Sequence, residues 1–261
     1  MLCALGPIFV GTHDVTHGRV AALRNPDYRK KYELAYREDL KKYGQELALE
    51  RANKKLLMQS LTRPLLLRLW REVCSGTPHG KLSGTEATLM KVVQQLPRKP
   101  LPKEELLKLN RYLLDPEDVD VDTTIENPFE LGDIGEILYA EKQPTVRLWI
   151  HFKEYVVGGV PDGVAESYVY EFKSTMQTGR RIERVKEMAL RQALIYSYAF
   201  KRPNIKVQVA QFHLSKNMLP IKVKDLPKPD IATISRPASE DETLAILRDF
   251  DQAFHAGKGE D

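Results

Sequence analysis

Asp162, Glu171 and Lys173 are the residues of this chain whose types and spacing could do chemistry. They lie within Gly159–Thr175, "GVPDGVAESYVYEFKST", among residues that favour strands. Side chains at i and i+2 of a strand leave from the same face. Glu171 and Lys173 therefore point the same way, with Val169 beside them and Phe172 on the opposite side. Asp162 is expected across a short antiparallel turn near Glu166 and Ser167, so its carboxylate reaches the same small volume. Two adjacent carboxylates repel each other. A divalent metal relieves that repulsion, and hard oxygen ligands suit magnesium or manganese. Such an ion lowers the pKa of a coordinated water and stabilises negative charge building on phosphate oxygens. A neighbouring lysine orients the attacking water, assists its deprotonation or steadies a pentacovalent phosphorane. Phosphodiester hydrolysis is the chemistry this trio suits. An exposed hairpin carrying "EFK" is the simpler reading, and the surrounding elements must decide between the two.

The first half of the chain reads as helical. Asn25 caps a helix opened by Pro26 and running to about Leu61, with Tyr28, Tyr32, Tyr36, Leu40, Tyr43 and Leu47 on one face. That stripe is read as core-facing rather than as a base-stacking surface. Pro64 opens a second helix, "SGTE" at Ser83–Glu86 caps a third, and "KEELLKLNRYLL" forms a fourth. The acidic stretch from Asp115 to Pro128 is expected to be a solvated linker. It divides a helical N-terminal region, 1–127, from a second region, 128–261. There, "FELGDIGEILYAEK" predicts a helix and "TVRLWIHFKEYVV" one strand with Val146, Leu148, Ile150 and Phe152 on one face. Two further strands carry the acids. A helix from Arg181 to Phe200 follows, then "IKVQVAQFHLS" and "LPIKVKDL" as strands. "SEDE" at Ser239–Glu242 caps a last helix reaching about His255. The fold class is α/β, a mixed central sheet flanked by helices.

Four marks in this order resemble the PD-(D/E)xK nuclease superfamily, specifically its RecB-like branch. They are "GDIGE" at Gly132–Glu136, "GVPD" at Gly159–Asp162, Glu171-Phe172-Lys173, and "QALIY" at Gln192–Tyr196, whose end residues share a helical face. The branch includes the exonuclease domains of recombination helicases and the CRISPR-associated RecB-like exonucleases. The resemblance covers about 128–214 and implies a restriction-endonuclease-like core. It makes Glu136, Asp162, Glu171 and the Phe172 backbone carbonyl ligands of magnesium or manganese, and Lys173 the catalytic lysine beside Asp162 and Glu171. Gln192 and Tyr196 position substrate or active-site groups. The implied activity is a metal-dependent deoxyribonuclease, an exonuclease on single-stranded or end-bearing DNA. A structure-selective endonuclease, or an inactive nucleic-acid-binding module of the same fold, is the alternative. The CRISPR-associated relatives hold an iron–sulfur cluster on one early and three late cysteines. This chain has none after Cys74, so no such cluster is expected.

Arg180, Arg181, Arg184, Lys186 and Arg191 cluster around the start of the helix after the acid-bearing strand. Beside a phosphodiester site they suit phosphate contact as well as they suit a solvated face. Other signals carry less. His13 and His17 in "HDVTH" lack the glutamate of a helical zinc motif. "DVDVD" at Asp118–Asp122 imitates a calcium loop, but Thr123 and Phe129 stand where glycine and the bidentate glutamate belong. The net charge of +4 is compatible with a nucleic-acid partner without requiring one. The two cysteines, Cys3 and Cys74, fit a reducing, cytoplasmic setting. No apolar run approaches the ~20 residues of a membrane helix. "MLCALGPIFV" lacks the basic start of a secretory leader, so none is expected.

Overall fold

The computed structural model describes residues 7–9, 26–78, 80–95, 100–107, 109, 111–146, 148–152 and 155–256. His13, His17, Cys3 and Asn25 lie outside the described residues, as do the side chains of the tyrosine stripe. The described residues form a mixed α/β architecture with six helices.

The sheet that carries the acids has the order β5 (Gly163–Val164), β6 (Tyr168–Thr175), β7 (Asn204–Gln211) and β9 (Asp230–Pro237). β5 and β6 are antiparallel, β6 and β7 parallel, and β9 runs antiparallel to β7 over its whole length, from Asn204↔Pro237 to Gln211↔Asp230. A parallel pair needs a crossover, and α5 (Arg180–Phe200) supplies it. Helices cover both faces. On one face Ala189, Ala193 and Ile195 of α5 pack with Ile205, Val207 and Val209 of β7 and with Leu247 and Phe250 of α6 (Glu240–Ala256). On the other, Tyr170, Phe172, Ala210 and Phe212 meet Leu131, Ile134 and Ile137 of α4 (Pro128–Tyr139), together with Leu69 and Trp70 of α1 (Pro26–Ser75) and Val93 of α2 (Gly84–Val93). β9 was not anticipated. It is an edge strand whose residues alternate between exposed and half-buried, so its pattern is faint.

Several expected elements are redrawn. α1 runs unbroken through Pro64 rather than dividing there. A proline inside a helix costs about 3 kcal/mol, but Leu67, Leu69 and Trp70 are all buried just beyond it, and each such burial contributes roughly 1.5–3 kcal/mol. Packing therefore outweighs the lost hydrogen bond. The fourth helix shrinks to one turn, α3 (Lys103–Leu106), and a 3-10 turn at Arg111–Leu113. "TVRLWIHFKEYVV" folds into a hairpin, β3 (Leu148–Phe152) against β4 (Tyr155–Gly159), with β1 (Pro7–Phe9) parallel to β4. "LPIKVKDL" gives only the two-residue β8 (Ile221–Lys222) before a 3-10 turn. The cap at Ser239 forms as expected, its hydroxyl accepting from the Glu242 N–H at 3.2 Å.

The acidic stretch is not a solvated linker. Asp115 accepts from Arg63 at 3.3 Å and from Arg71 at 3.1 Å, tying it to α1. Asp118 is buried and accepts from the Asp115 N–H at 2.7 Å. β2 (Thr124–Ile125) pairs with β8, and Ile125 is 0% exposed. Asp122 of the calcium-like run pairs with Lys222 and Lys224. An Ile125→Ala variant is therefore expected to lose about 2–5 kcal/mol of unfolding free energy in urea melts. A loss below about 0.5 kcal/mol, the range of ordinary surface changes, would show the segment to be peripheral.

Candidate active site

The β5–β6 register places Asp162 opposite Glu171, one residue beyond the Gly163–Tyr170 pair. Asp162 is on the turn between β4 and β5, and that turn is tied down at several points. The Thr145 hydroxyl donates to the Pro161 carbonyl, and the Val164 N–H donates to the Pro144 carbonyl at 2.8 Å. Tyr196, 5% exposed on α5, lies directly against Gly159. A Cβ at that position would stand 2.5 Å from the Tyr196 hydroxyl, so only glycine fits there. The first residue of "GVPD" and the last of "QALIY" are thus one contact.

The Asp162 carboxylate accepts from the Phe172 N–H at 2.7 Å through Oδ2. Glu171 is 2% exposed, and its Oε1 accepts from Lys173 Nζ while its Oε2 has no hydrogen-bond partner. The same ammonium donates to the Phe172 carbonyl at 3.1 Å and lies 3.7 Å from Asp162 Oδ2.

α4 supplies the third acid. Asn127 caps it, its side-chain oxygen accepting from the Phe129 and Glu130 N–H groups at 3.0 Å each, and Pro128 occupies the first turn. At Gly135 the helix lies against Ser174 of β6 and against Phe212, where a Cβ would make ordinary contact at 3.4 Å. Glu136 is held by Arg111, whose Nη1 is 3.1 Å from Oε2 and whose Nη2 pairs with Asp133. Lys142 donates to the Glu136 and Ile137 carbonyls at 3.3 and 2.9 Å, a cation at the negative end of the helix. Arg111 and Lys142 carry no signal in the sequence. Arg111 sits in what reads as an ordinary amphipathic helix, and both reach the site by long-range packing.

Charge and burial compete in this volume. Burial, with the negative charge of Asp162 adding to it, pushes the Glu136 carboxyl up to about 7 against the pull of Arg111, Lys173 and Lys142. Burial and Asp162 likewise push Glu171 up to about 8, although Lys173 opposes them. Burial works against a charged Lys173, but Glu171 and Asp162 outweigh it and hold the ammonium well above the usual lysine value. Burial brings Lys142 down to about 8 despite Glu136. Glu136, Asp162, Glu171 and Lys173 thus share one electrostatic neighbourhood.

Among the described residues, no three His, Cys, Asp or Glu side chains stand at the spacing of a closed metal shell. The Lys173 ammonium instead lies beside three oxygens, from Glu171, Phe172 and Asp162, that a hard cation would take. Oxygen-only donors, one of them a buried carboxylate oxygen without a partner, fit magnesium or manganese in kind.

Gln192 is buried on α5 one turn before Tyr196. Tyr196 packs with Leu148, Val164, Val169 and Phe200. Arg180, Arg181 and Arg184 are exposed at the start of the same helix and make no ion pair among the described residues. No helix among the described residues is long and apolar enough to cross a membrane. Compared with family models, curated proteins and solved structures, the chain has no match.

The raised Glu136 value has a measurable consequence. A carboxyl with a folded pKa of about 7 and an ordinary value of 4.5 contributes stability that is complete below 4.5 and lost as pH rises through 7. In metal-free buffer, Glu136→Gln is expected to leave the melting temperature nearly unchanged at about pH 4, below the ordinary carboxylate value, where the glutamate is mostly neutral folded and unfolded, and to raise stability by on the order of 3 kcal/mol at about pH 8. An equal change at both pH values would contradict the assigned burial and repulsion.

Proposed function

We propose that this chain is a metal-dependent deoxyribonuclease built on a restriction-endonuclease-like core of the RecB-like type. The observation that carries the reading is the convergence of Asp162, Glu171 and the Phe172 carbonyl on the Lys173 ammonium, inside a buried and acid-rich volume. A decorative hairpin has no use for a carboxylate that is 2% exposed, because burying charge costs several kcal/mol per ion without full compensation. Glu136 on α4 and the Tyr196–Gly159 contact support the reading, since both act on the same turn and strand.

In this reading Asp162, Glu171, Glu136 and the Phe172 carbonyl hold one or two magnesium or manganese ions. Bound there, such an ion supplies a water of lowered pKa and positive charge toward the non-bridging phosphate oxygens. The chain's own residues do the rest. Lys173, kept protonated by its two carboxylate neighbours, donates hydrogen bonds that orient the attacking water and stabilise charge on the phosphorane. Tyr196 fixes the Asp162 turn through Gly159, and Gln192 positions groups from the same helix face. Arg180, Arg181 and Arg184 contact flanking phosphates. Cations at a helix N-terminus are opposed by the helix dipole, and a phosphate strand offsets that cost. Exonucleolytic cutting of single-stranded or end-bearing DNA is the activity proposed.

The test is digestion of end-labelled linear and circular DNA, single- and double-stranded, with magnesium or manganese and with chelator. The parent is expected to shorten linear strands only with the metal. Asp162→Ala and Lys173→Ala are expected to be slower by about a hundredfold or more. Circular DNA surviving while linear DNA shortens identifies an exonuclease, and linearised circles an endonuclease. A parent that leaves every substrate intact, or variants that cut as fast as it does, overturns the enzyme reading. DNA bound without cleavage would make the chain an inactive binding module.

A further inference from the structure

Phe129 is 86% exposed, the highest value among the large apolar side chains of the described residues. It is not at a frayed end. Its N–H donates to the Asn127 cap at 3.0 Å, and Pro128 precedes it, so its backbone is fixed in the first turn of α4. It precedes Glu136 by seven positions, which places both on one stripe of the helix. The core stripe of Leu131, Ile134 and Ile137 lies elsewhere on the helix. Between Phe129 and Glu136, Asp133 is bridged to Glu136 by Arg111, whose guanidinium is partly exposed. From the acid outward, this face of α4 therefore presents the Glu136 carboxylate, the Arg111 guanidinium laid against it from the neighbouring 3-10 turn, and the exposed Phe129 ring.

Two turns of helix span about 10 Å, and a stacked strand advances ~3.4 Å per nucleotide. A strand with its phosphate at the acids meets the Phe129 ring within about three nucleotides, fewer if the strand is stretched. Every base offers a flat π-face to such a ring, but only when it is unpaired. A continuous duplex presents no free face there.

We propose that Phe129 is a stacking platform for an unpaired base close to the scissile phosphate, and that the site therefore takes single strands rather than continuous duplex. This rests on the nuclease reading above and names its substrate class. The ring binds substrate and takes no part in the chemistry.

The experiment is equilibrium binding by fluorescence anisotropy of the full chain, in chelator so that no cutting occurs. The probes are a short labelled single-stranded oligonucleotide and the same backbone carrying abasic residues in place of its bases. Phe129→Ala is expected to bind the base-bearing strand about fivefold to a hundredfold more weakly than the parent, while the two bind the abasic strand alike. Phe129→Trp is expected to keep parental affinity. If Phe129→Ala binds the base-bearing strand as tightly as the parent, or weakens equally on both strands, the stacking role is overturned and the nuclease reading stands. If the parent binds neither strand, both fall together.

Discussion

One ammonium between two carboxylates is the interaction on which this structure turns. Lys173 neutralises Glu171 directly and stands near Asp162, and without it an acid on β6 and an acid on the turn before β5 would face each other with little water to separate them. Removing one partner of a buried ion pair costs about 3–5 kcal/mol, so the strand register, the turn before β5 and the approach of α4 must all keep that geometry. The raised values of Glu136 and Glu171 show that the compensation is incomplete: burial and the nearby charge of Asp162 still disfavour the ionised forms of both glutamates.

The scaffold answers this with rigid parts. β6 is paired to β7 along its whole length and to β5 at Val169 and Tyr170, so Glu171 and Lys173 continue a strand anchored on β7. α4 packs against that strand at Gly135, and its far end is closed by Lys142 on its last carbonyls. Of the three acids, Asp162 alone is carried by a connection rather than by a helix or strand. That connection is tied by Thr145 at Pro161, by the Phe172 N–H at Asp162 and by Tyr196 at Gly159.

What could be read beforehand follows the range of the interactions. Glu171 and Lys173 sharing a face is a consequence of strand pleating, and Asp162 meeting them needs only a short antiparallel turn, so local rules suffice. The caps at Ser83 and Ser239 are equally local. Arg111, Lys142 and the burial of Ile125 depend on which distant segments pack together, and no spacing encodes that. The uninterrupted α1 is the clearest case. Proline is a strong local signal for a break, and it is overridden by Leu67, Leu69 and Trp70, whose burial is visible only once the sheet and α4 are in place. β9 escapes for the opposite reason, because an edge strand needs little hydrophobic alternation when one neighbour supplies all its backbone partners.

Two aromatics near the acids show how burial sorts roles that residue type leaves undecided. Tyr196 and Phe129 both lie on helices flanking the site, and either suits stacking on a base by its chemistry alone. Tyr196 is enclosed among Leu148, Val164 and Phe200 with its hydroxyl against Gly159, so its effect on any ligand passes through the turn that carries Asp162. Phe129 has its ring in solvent on a capped helix turn, and forgoes the roughly 1.5–3 kcal/mol that burial of such a side chain contributes. A buried aromatic in a motif is thus a support for the site, whereas an exposed one aligned with it is a surface offered to something outside the fold.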